Sequence, residues 1–262
     1  MQPLSTPSGP ARRKRQAGSA GADSPDFITA LARGLHVLRC FRSGPQPLGN
    51  QELAHLTGLP KPTISRITFT LTELGYLRYH ADTGKYSPGH AALAMGFGLL
   101  AGLAIRDLAK ADMTALAAQT GAAVALGAFD GDAMVYVEAM HGSSALYLRL
   151  PVGYRASLDT AMGRAYLAAL PEPARQELVS QAGITSHAMD EALRDRQASG
   201  CCFAIGQWQS GINAAAVAFS ALTGEGVFVI SCGGPAQLLP EATLRDRVAP
   251  VLNQIARRLE GG

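Results

Sequence analysis

Charge is scarce in this chain, and so are aromatic residues and cysteine. Lys, Arg, Asp and Glu make up 16% of the 262 residues and aromatics 6%, with a single tryptophan. Beside an apolar fraction of 47%, that balance excludes a largely disordered chain and leaves ample material for packed cores. Long hydrophobic runs are missing too. The longest uncharged apolar stretch, Ala91–Ile105, covers 15 residues and is broken by Gly96, Gly98 and Gly102, short of the roughly 20 that a spanning helix needs; no membrane partner is expected. The four cysteines (Cys40, Cys201, Cys202, Cys232) form no CxxC and no zinc-ligand spacing, so neither metal nor other cofactor is expected. They read as small buried hydrophobes in a reducing cytoplasm. A redox pair of Cys201 or Cys202 with Cys232 is the alternative. Catalytic signatures are also absent: there is no GxSxG, HExxH or GxxxxGK[ST], and His36, His55, His80, His90, His141 and His187 are scattered without a partner at motif spacing. No catalytic residue is assigned.

What is present is arranged in two parts, as the length leads one to expect. Residues 1–90 hold 11 Lys and Arg against 5 Asp and Glu, while residues 91–262 hold 12 against 15. A basic N-terminal third on a mildly acidic remainder fits a nucleic-acid-binding module attached to something else. Residues 1–24, rich in Ser, Pro, Gly and Ala and carrying the basic run Arg12–Arg15, read as a disordered tail. That run can reach into a minor groove or simply be solvated.

The next stretch has the punctuation of three helices and a hairpin. Phe27–Arg42 places Ile28, Leu31, Leu35, Leu38 and Phe41 at helical spacing. Asn50 stands as an N-cap before the short helix Gln51–Leu56. After Thr57–Pro60 comes a third helix, opened by Pro62 and ended by Gly75. Tyr76–Tyr79 and Lys85–Ser87 then flank a turn, giving a small wing. Three helices and a hairpin in that order make a winged helix-turn-helix spanning residues 25–89. On the third helix, Ile64, Ile67, Leu71 and Leu74 form the buried stripe. Pro62, Ser65, Arg66, Phe69 and Thr72 occupy the opposite arc. That arc, with Thr63 beside it, suits a major groove: Arg reads guanine, hydroxyls serve bases or phosphates, and Phe packs on a thymine methyl. Asn50, Lys61, Arg78 and Lys85 complete the expected DNA contacts, the three cations near phosphates.

At this point the residues carry a resemblance. Pro47–Gly89 (PLGNQELAHLTGLPKPTISRITFTLTELGYLRYHADTGKYSPG) and Leu31–Phe41 (LARGLHVLRCF) resemble the DNA-binding domain of the IclR family of bacterial regulators. Asp130–Met140, Gly153–Pro171 and Ser210–Pro235 resemble segments of its effector domain, in the right order. The resemblance implies an α+β protein: an N-terminal winged helix-turn-helix, a linker helix at 90–105, and a C-terminal GAF-like α/β domain with an antiparallel sheet at 106–262. It implies a cytoplasmic homodimer or homotetramer that binds double-stranded operator DNA and a small-molecule effector, often an organic or aromatic acid, as repressor or activator of a catabolic operon. The alternative is a GAF-like cysteine-dependent enzyme or redox sensor.

Carried onto this sequence, the family's effector pocket falls on Ala161, Met162, Ala204, Ala214, Ser231 and Gly233. Several depart from the polar pattern of members that bind very small acids: Ala204 stands for an acid, Ala214 for a cysteine and Gly233 for a second serine. Arg164 replaces the lysine of the usual GKA. The pocket is therefore expected to be roomier and more apolar, and to take a larger, aromatic ligand. The helix opening at Ala161-Met162-Gly163 offers backbone N–H groups to a carboxylate. Arg149 and Arg155 are either further contacts to it or surface salt bridges. Trp208 reads as a lid or as dimer surface. Phe69 stands where family members commonly carry arginine, so thymine is expected opposite it.

Overall fold

The computed structural model describes residues 24–43, 46–143 and 150–262; the basic run Arg12–Arg15 and Arg149 lie outside them. The chain divides into two compact units, Met1–Phe97 and Gly98–Gly262.

The first unit holds α1 (Thr29–Arg39), a 3-10 turn (Cys40–Ser43), α2 (Asn50–Thr57), α3 (Lys61–Glu73), β1 (Leu77–His80) and β2 (Lys85–Pro88), and the start of α4 (His90–Gly102). The two strands pair antiparallel from Leu77 opposite Pro88 to His80 opposite Lys85, and Leu48 bridges to Tyr86. This is the expected helix-turn-helix with its wing. Pro62 falls in the first turn of α3, where a missing N–H costs nothing. Asn50 is not the cap of α2. The chain enters extended at Gly49, whose N–H donates to the Glu52 carboxylate at 2.5 Å, so the helix begins one residue earlier than expected.

The unit's core is small: Val37, Phe41, Leu53, Ile64 and Leu77. Two expected stripes are revised. The inward residues are Val37 of α1 and Phe41 of the 3-10 turn, while Ile28, Leu31 and Leu35 are 65%, 58% and 52% exposed. On α3 Leu74 is exposed and Thr68 is fully buried instead. The Thr68 hydroxyl meets the Ile64 carbonyl (3.0 Å) and the Asn50 side-chain oxygen (3.3 Å), which satisfies the buried polar group.

The second unit contains the end of α4, then α5 (Ala104–Thr120), β3 (Ala123–Phe129), β4 (Met134–His141), β5 (Arg155–Ala156), α6 (Ala161–Ala169), α7 (Glu172–Ala182), α8 (Ser186–Ser199), β6 (Cys202–Ile205), β7 (Ile212–Ser220), β8 (Val227–Pro235), the short α9 (Glu241–Thr243) and α10 (Ala249–Glu260). α5 starts two residues before the expected Arg106, because the Glu225 carboxylate accepts from the Ala104 and Ile105 N–H groups at 2.8 and 3.2 Å. Among the described residues no single helix is long and apolar enough to cross a membrane. α4 and α5 reach that length only together, and they bend by 72° at their junction.

The six strands form one antiparallel sheet in the order β5-β4-β3-β8-β7-β6. Its alternation is legible along β7. Ala215, Val217 and Phe219 enter the core with α5 and α10; Ala214, Ala216 and Ala218 pack with α6 and α8. Both faces are thus buried, as the apolar strands demand. A β-bulge interrupts the pairing of β3 with β4: Leu126 faces Glu138 but Gly127 faces Tyr136, which leaves Val137 as the extra residue.

Cys201, Cys202 and Cys232 are buried and unpaired. The expected option of a disulfide to Cys232 fails on topology. β7 lies between β6 and β8, and two ladder spacings of roughly 9–10 Å exceed what a disulfide spans. Burial pushes each of the three thiols up to about 12, which removes the thiolate that redox chemistry needs. A thiol reagent at pH 8 should therefore label these three cysteines only as the chain unfolds; rapid labelling of all three in native protein would contradict the packing. Since the folded pKa lies above the ordinary 9.0, the stability these thiols contribute is complete below about pH 9 and is lost as pH rises toward about 12. Urea midpoints across that range check the sign.

Candidate functional site

Two places in the molecule gather the residues singled out by sequence. On α3, Lys61, Pro62, Ser65, Arg66 and Phe69 are exposed and Thr63 is half-buried; Phe69 is 65% exposed, an apolar ring turned to solvent. Neither Lys61 nor Arg66 has a side-chain partner among the described residues, and the same holds for Arg78 beside the wing. Two expected contacts are already engaged. Lys85 bridges to Glu52 at 3.0 Å. The Asn50 amide donates to the Ser65 hydroxyl at 3.2 Å and its oxygen accepts from Thr68, so Asn50 ties α2 to α3. Across the wing, His80 and Ser87 are hydrogen-bonded at 2.8 Å and Tyr79 packs on Tyr86 at 5.1 Å.

The second place is a small cavity in the sheet-bearing unit. Ala161, Met162, Ala204, Ala214, Ser231 and Gly233 all line it. Among the described residues no arginine, lysine, aspartate or glutamate does; its charge-capable group is His141, exposed at the end of β4.

The mouth of α6 opens into this space. Thr160 caps the helix: its hydroxyl donates to the Ser157 carbonyl at 2.7 Å and accepts from the Gly163 N–H at 3.2 Å. That leaves the N–H groups of Ala161 and Met162 without an acceptor among the described residues. Gly163 itself is not at the cavity. It is buried where a Cβ would stand 2.3 Å from the Leu158 Cα, so glycine is needed there for close approach of two backbone segments. Arg155 is likewise elsewhere. Its Nε and terminal nitrogen grip Asp130 at 2.9 and 3.1 Å, and it also meets Asp132, a forked pair that fixes β5 to the β3–β4 turn.

Sequence reasoning missed Tyr136 and Tyr154, and it left Trp208 open; all three line the cavity. The two tyrosine rings meet edge to face at 5.4 Å. Burial first, and then Tyr154, push the Tyr136 phenol well above its ordinary value, while a hydrogen bond with Ser231 partly opposes this. The phenol therefore stays protonated and polar in an otherwise apolar wall. The β4 bulge is why simple alternation fails to find this face: it brings both Tyr136 and Ala139 to the cavity and sends Val137 to the other core. Glu138, also turned away, pairs with Arg106 of α5 at 2.9 Å.

A helix-turn-helix unit with an exposed, cation-bearing third helix, followed by an α/β unit with a small-molecule cavity, defines a DNA-binding transcription regulator with an effector-binding domain. The chain belongs to the IclR family. The model described as IclR helix-turn-helix domain matches residues 30–81, and that described as Bacterial transcriptional regulator IclR C-terminal matches residues 97–260. Over 245 residues the chain is 29% identical to the HTH-type transcriptional regulator TsaQ1/TsaQ2 of Comamonas testosteroni, covering 89% of this chain and 88% of the relative. The crystal structure of an IclR family transcriptional regulator from Brucella abortus superposes with a TM-score of 0.85 at 40% identity, covering 94% of this chain and 96% of that one. An IclR homolog from Microbacterium hydrocarbonoxydans, solved in complex with 4-hydroxybenzoate, shares the fold at 19% identity and a TM-score of 0.63, over 89% and 96% of the two chains.

Proposed function

We propose that the chain is a cytoplasmic, ligand-responsive regulator of a catabolic operon, whose effector is an aromatic carboxylic acid held in the cavity of the second unit. The observation that carries this reading is the α6 mouth: two unpartnered N–H groups, Ala161 and Met162, open onto alanine-lined walls. A carboxylate placed there gains from the helix dipole and from charge-assisted hydrogen bonds, and a ring fills the space that Ala204, Ala214 and Gly233 leave empty. The 4-hydroxybenzoate complex of the Microbacterium relative supports the same class of ligand. In a thermal-shift screen, benzoate or 4-hydroxybenzoate at 100 times its dissociation constant should add about 2.7 kcal/mol, a rise of roughly 5–10 °C for a domain of this size. Stabilisation by glyoxylate or acetate with none by aromatic acids would overturn the reading.

Operator DNA is read by α3. Pro62, Thr63, Ser65, Arg66 and Phe69 form the surface that enters the major groove, with Lys61 and Arg78 near phosphates and Lys85 joining once Glu52 is displaced. Arg66→Ala should weaken specific binding by about 1–3 kcal/mol and non-specific binding far less, measured by fluorescence anisotropy on operator and scrambled duplexes. Equal losses on both would reduce Arg66 to a phosphate clamp.

The working unit in this proposal is a homodimer or a homotetramer built from it. α4 carries no Lys, Arg, Asp or Glu and buries none of its side chains; Leu93, Met95, Phe97 and Leu99 are each more than half exposed. Beside it, Leu31 and Leu35 of α1, Ile67 and Leu71 of α3, and Leu74 at its end line an apolar groove. A second copy offers the same patch, so a two-fold contact covers both at once. In sedimentation equilibrium, Leu35→Glu combined with Phe97→Glu should shift the protein from dimer or tetramer to smaller species. A wild-type chain that is already monomeric at micromolar concentration would refute the pairing.

A further inference from the structure

A short loop joining β6 to β7 contributes Trp208 to the cavity wall. It closes on itself: the Gly206 N–H bonds the Ile212 carbonyl and the Ile212 N–H bonds the Gln209 carbonyl, each at 3.0 Å. Gly206 and Gly211 bracket it with φ of +68° and +80°, and neither has a neighbour within 4 Å of a would-be Cβ. Gln207, Gln209 and Ser210 are exposed, while Trp208 is half-buried and lines the cavity. At its far end the Gly211 carbonyl accepts from the Ala236 N–H at 2.7 Å; the end that carries Trp208 needs an anchor of its own to hold an indole in one place.

That anchor is the Gln207 side chain. Its oxygen accepts from the Ile205 N–H and from an Arg164 terminal nitrogen, both at 3.1 Å, and its amide donates to Glu191 at 3.2 Å. Arg164 is buried, 5% exposed. The same guanidinium nitrogen also meets the Glu191 carboxylate at 3.3 Å and the Phe203 carbonyl at 3.4 Å, and Nε donates to the Asp159 carbonyl at 2.9 Å. Asp159 immediately precedes the capping Thr160. One planar cation thus holds both the entrance of the helix that faces the ligand and the loop that carries the tryptophan.

We propose that Arg164 is a positioning residue that fixes Trp208 over the cavity through Gln207, so that the α6 mouth and the indole grip a ligand as one hydrogen-bonded body. The part that concerns the ligand rests on the effector reading given above; the part that concerns Trp208 does not. Lysine, a point donor on a flexible stem, cannot reproduce the fork. Arg164→Lys should hold Trp208 only in part.

Trp208 is the chain's one tryptophan, so its fluorescence reports this loop alone. In the full-length protein without ligand, Gln207→Ala, which removes all three hydrogen bonds of that side chain, should raise the acrylamide quenching constant roughly two-fold or more. The thermal midpoint should barely move, because Gln207 is exposed. Arg164→Lys should fall between wild type and Gln207→Ala, a ranking that general destabilisation would not produce. With 4-hydroxybenzoate as the probe, Gln207→Ala and Trp208→Ala should each weaken binding by up to roughly tenfold. Quenching in Gln207→Ala equal to wild type overturns the positioning role. If 4-hydroxybenzoate fails to bind wild type, the effector reading falls instead, and the quenching result still decides the role of Arg164.

Discussion

A sheet buried on both faces has to meet side chains at every inward position, and on one face of this sheet those side chains are mostly alanine. Ala125, Ala204, Ala214, Ala216 and Ala218 come from three different strands on the face covered by α6 and α8. The opposite face carries Val124, Leu126, Val217, Phe219, Phe228 and Ile230 against α5 and α10 and is filled. Interiors pack to near-crystalline density, so a run of small residues must either draw the covering helix closer or leave space. α6 does approach closely at Gly163, where two backbones touch. Beyond its N-terminus there is no helix left to approach, and the space remains as the cavity.

That constraint also governs the polar groups around the cavity. An unpaired donor or acceptor in such a wall costs about 1–3 kcal/mol. The wall's polar groups are accordingly paired with one another: Tyr136 with Ser231, and Thr160 with Ser157 and Gly163. Arg164 is the extreme case, a buried cation meeting a carboxylate, two carbonyls and a side-chain amide. Removing Glu191, the one carboxylate in the network, would be the costly change, because the cation would stay behind without a counter-charge. The N–H groups of Ala161 and Met162 stand apart from this pattern, as the first N–H groups of a helix do; the proposed effector's carboxylate would pair them.

The parts of this organisation that are local were legible in the sequence. Pro60, Pro62 and Gly75 punctuate the helix-turn-helix, whereas the β7–β8 pair is legible only through the family resemblance of Ser210–Pro235. The cavity positions came from the family resemblance, not from periodicity, and six of them meet at one space. What was not legible depends on partners distant in sequence. Arg155 can serve a carboxylate ligand or a structural one, and only the fold brings Asp130 and Asp132 to it. Thr68 looks like a surface residue until Asn50 of the preceding helix supplies an acceptor. Tyr136 is hidden by a bulge, since one inserted residue reverses the face of everything beyond it. The three buried cysteines looked able to meet until strand order placed β7 between them.

The exposure of the apolar α1 stripe has a consequence. Ile28, Leu31 and Leu35 have helical spacing and apolar chemistry, yet the unit's fully enclosed core is five side chains. A domain so small buries too little surface to be more than marginally stable alone. The residues that would enlarge its core are the ones left on α1 and α4. Pairing two copies across these faces, as proposed, would add to that core and fix the spacing of the two recognition helices in one step. Stability of the DNA-binding unit and geometry of operator recognition would then rest on the same apolar contact. A substitution there would weaken DNA binding by loosening the fold, without touching a base or a phosphate.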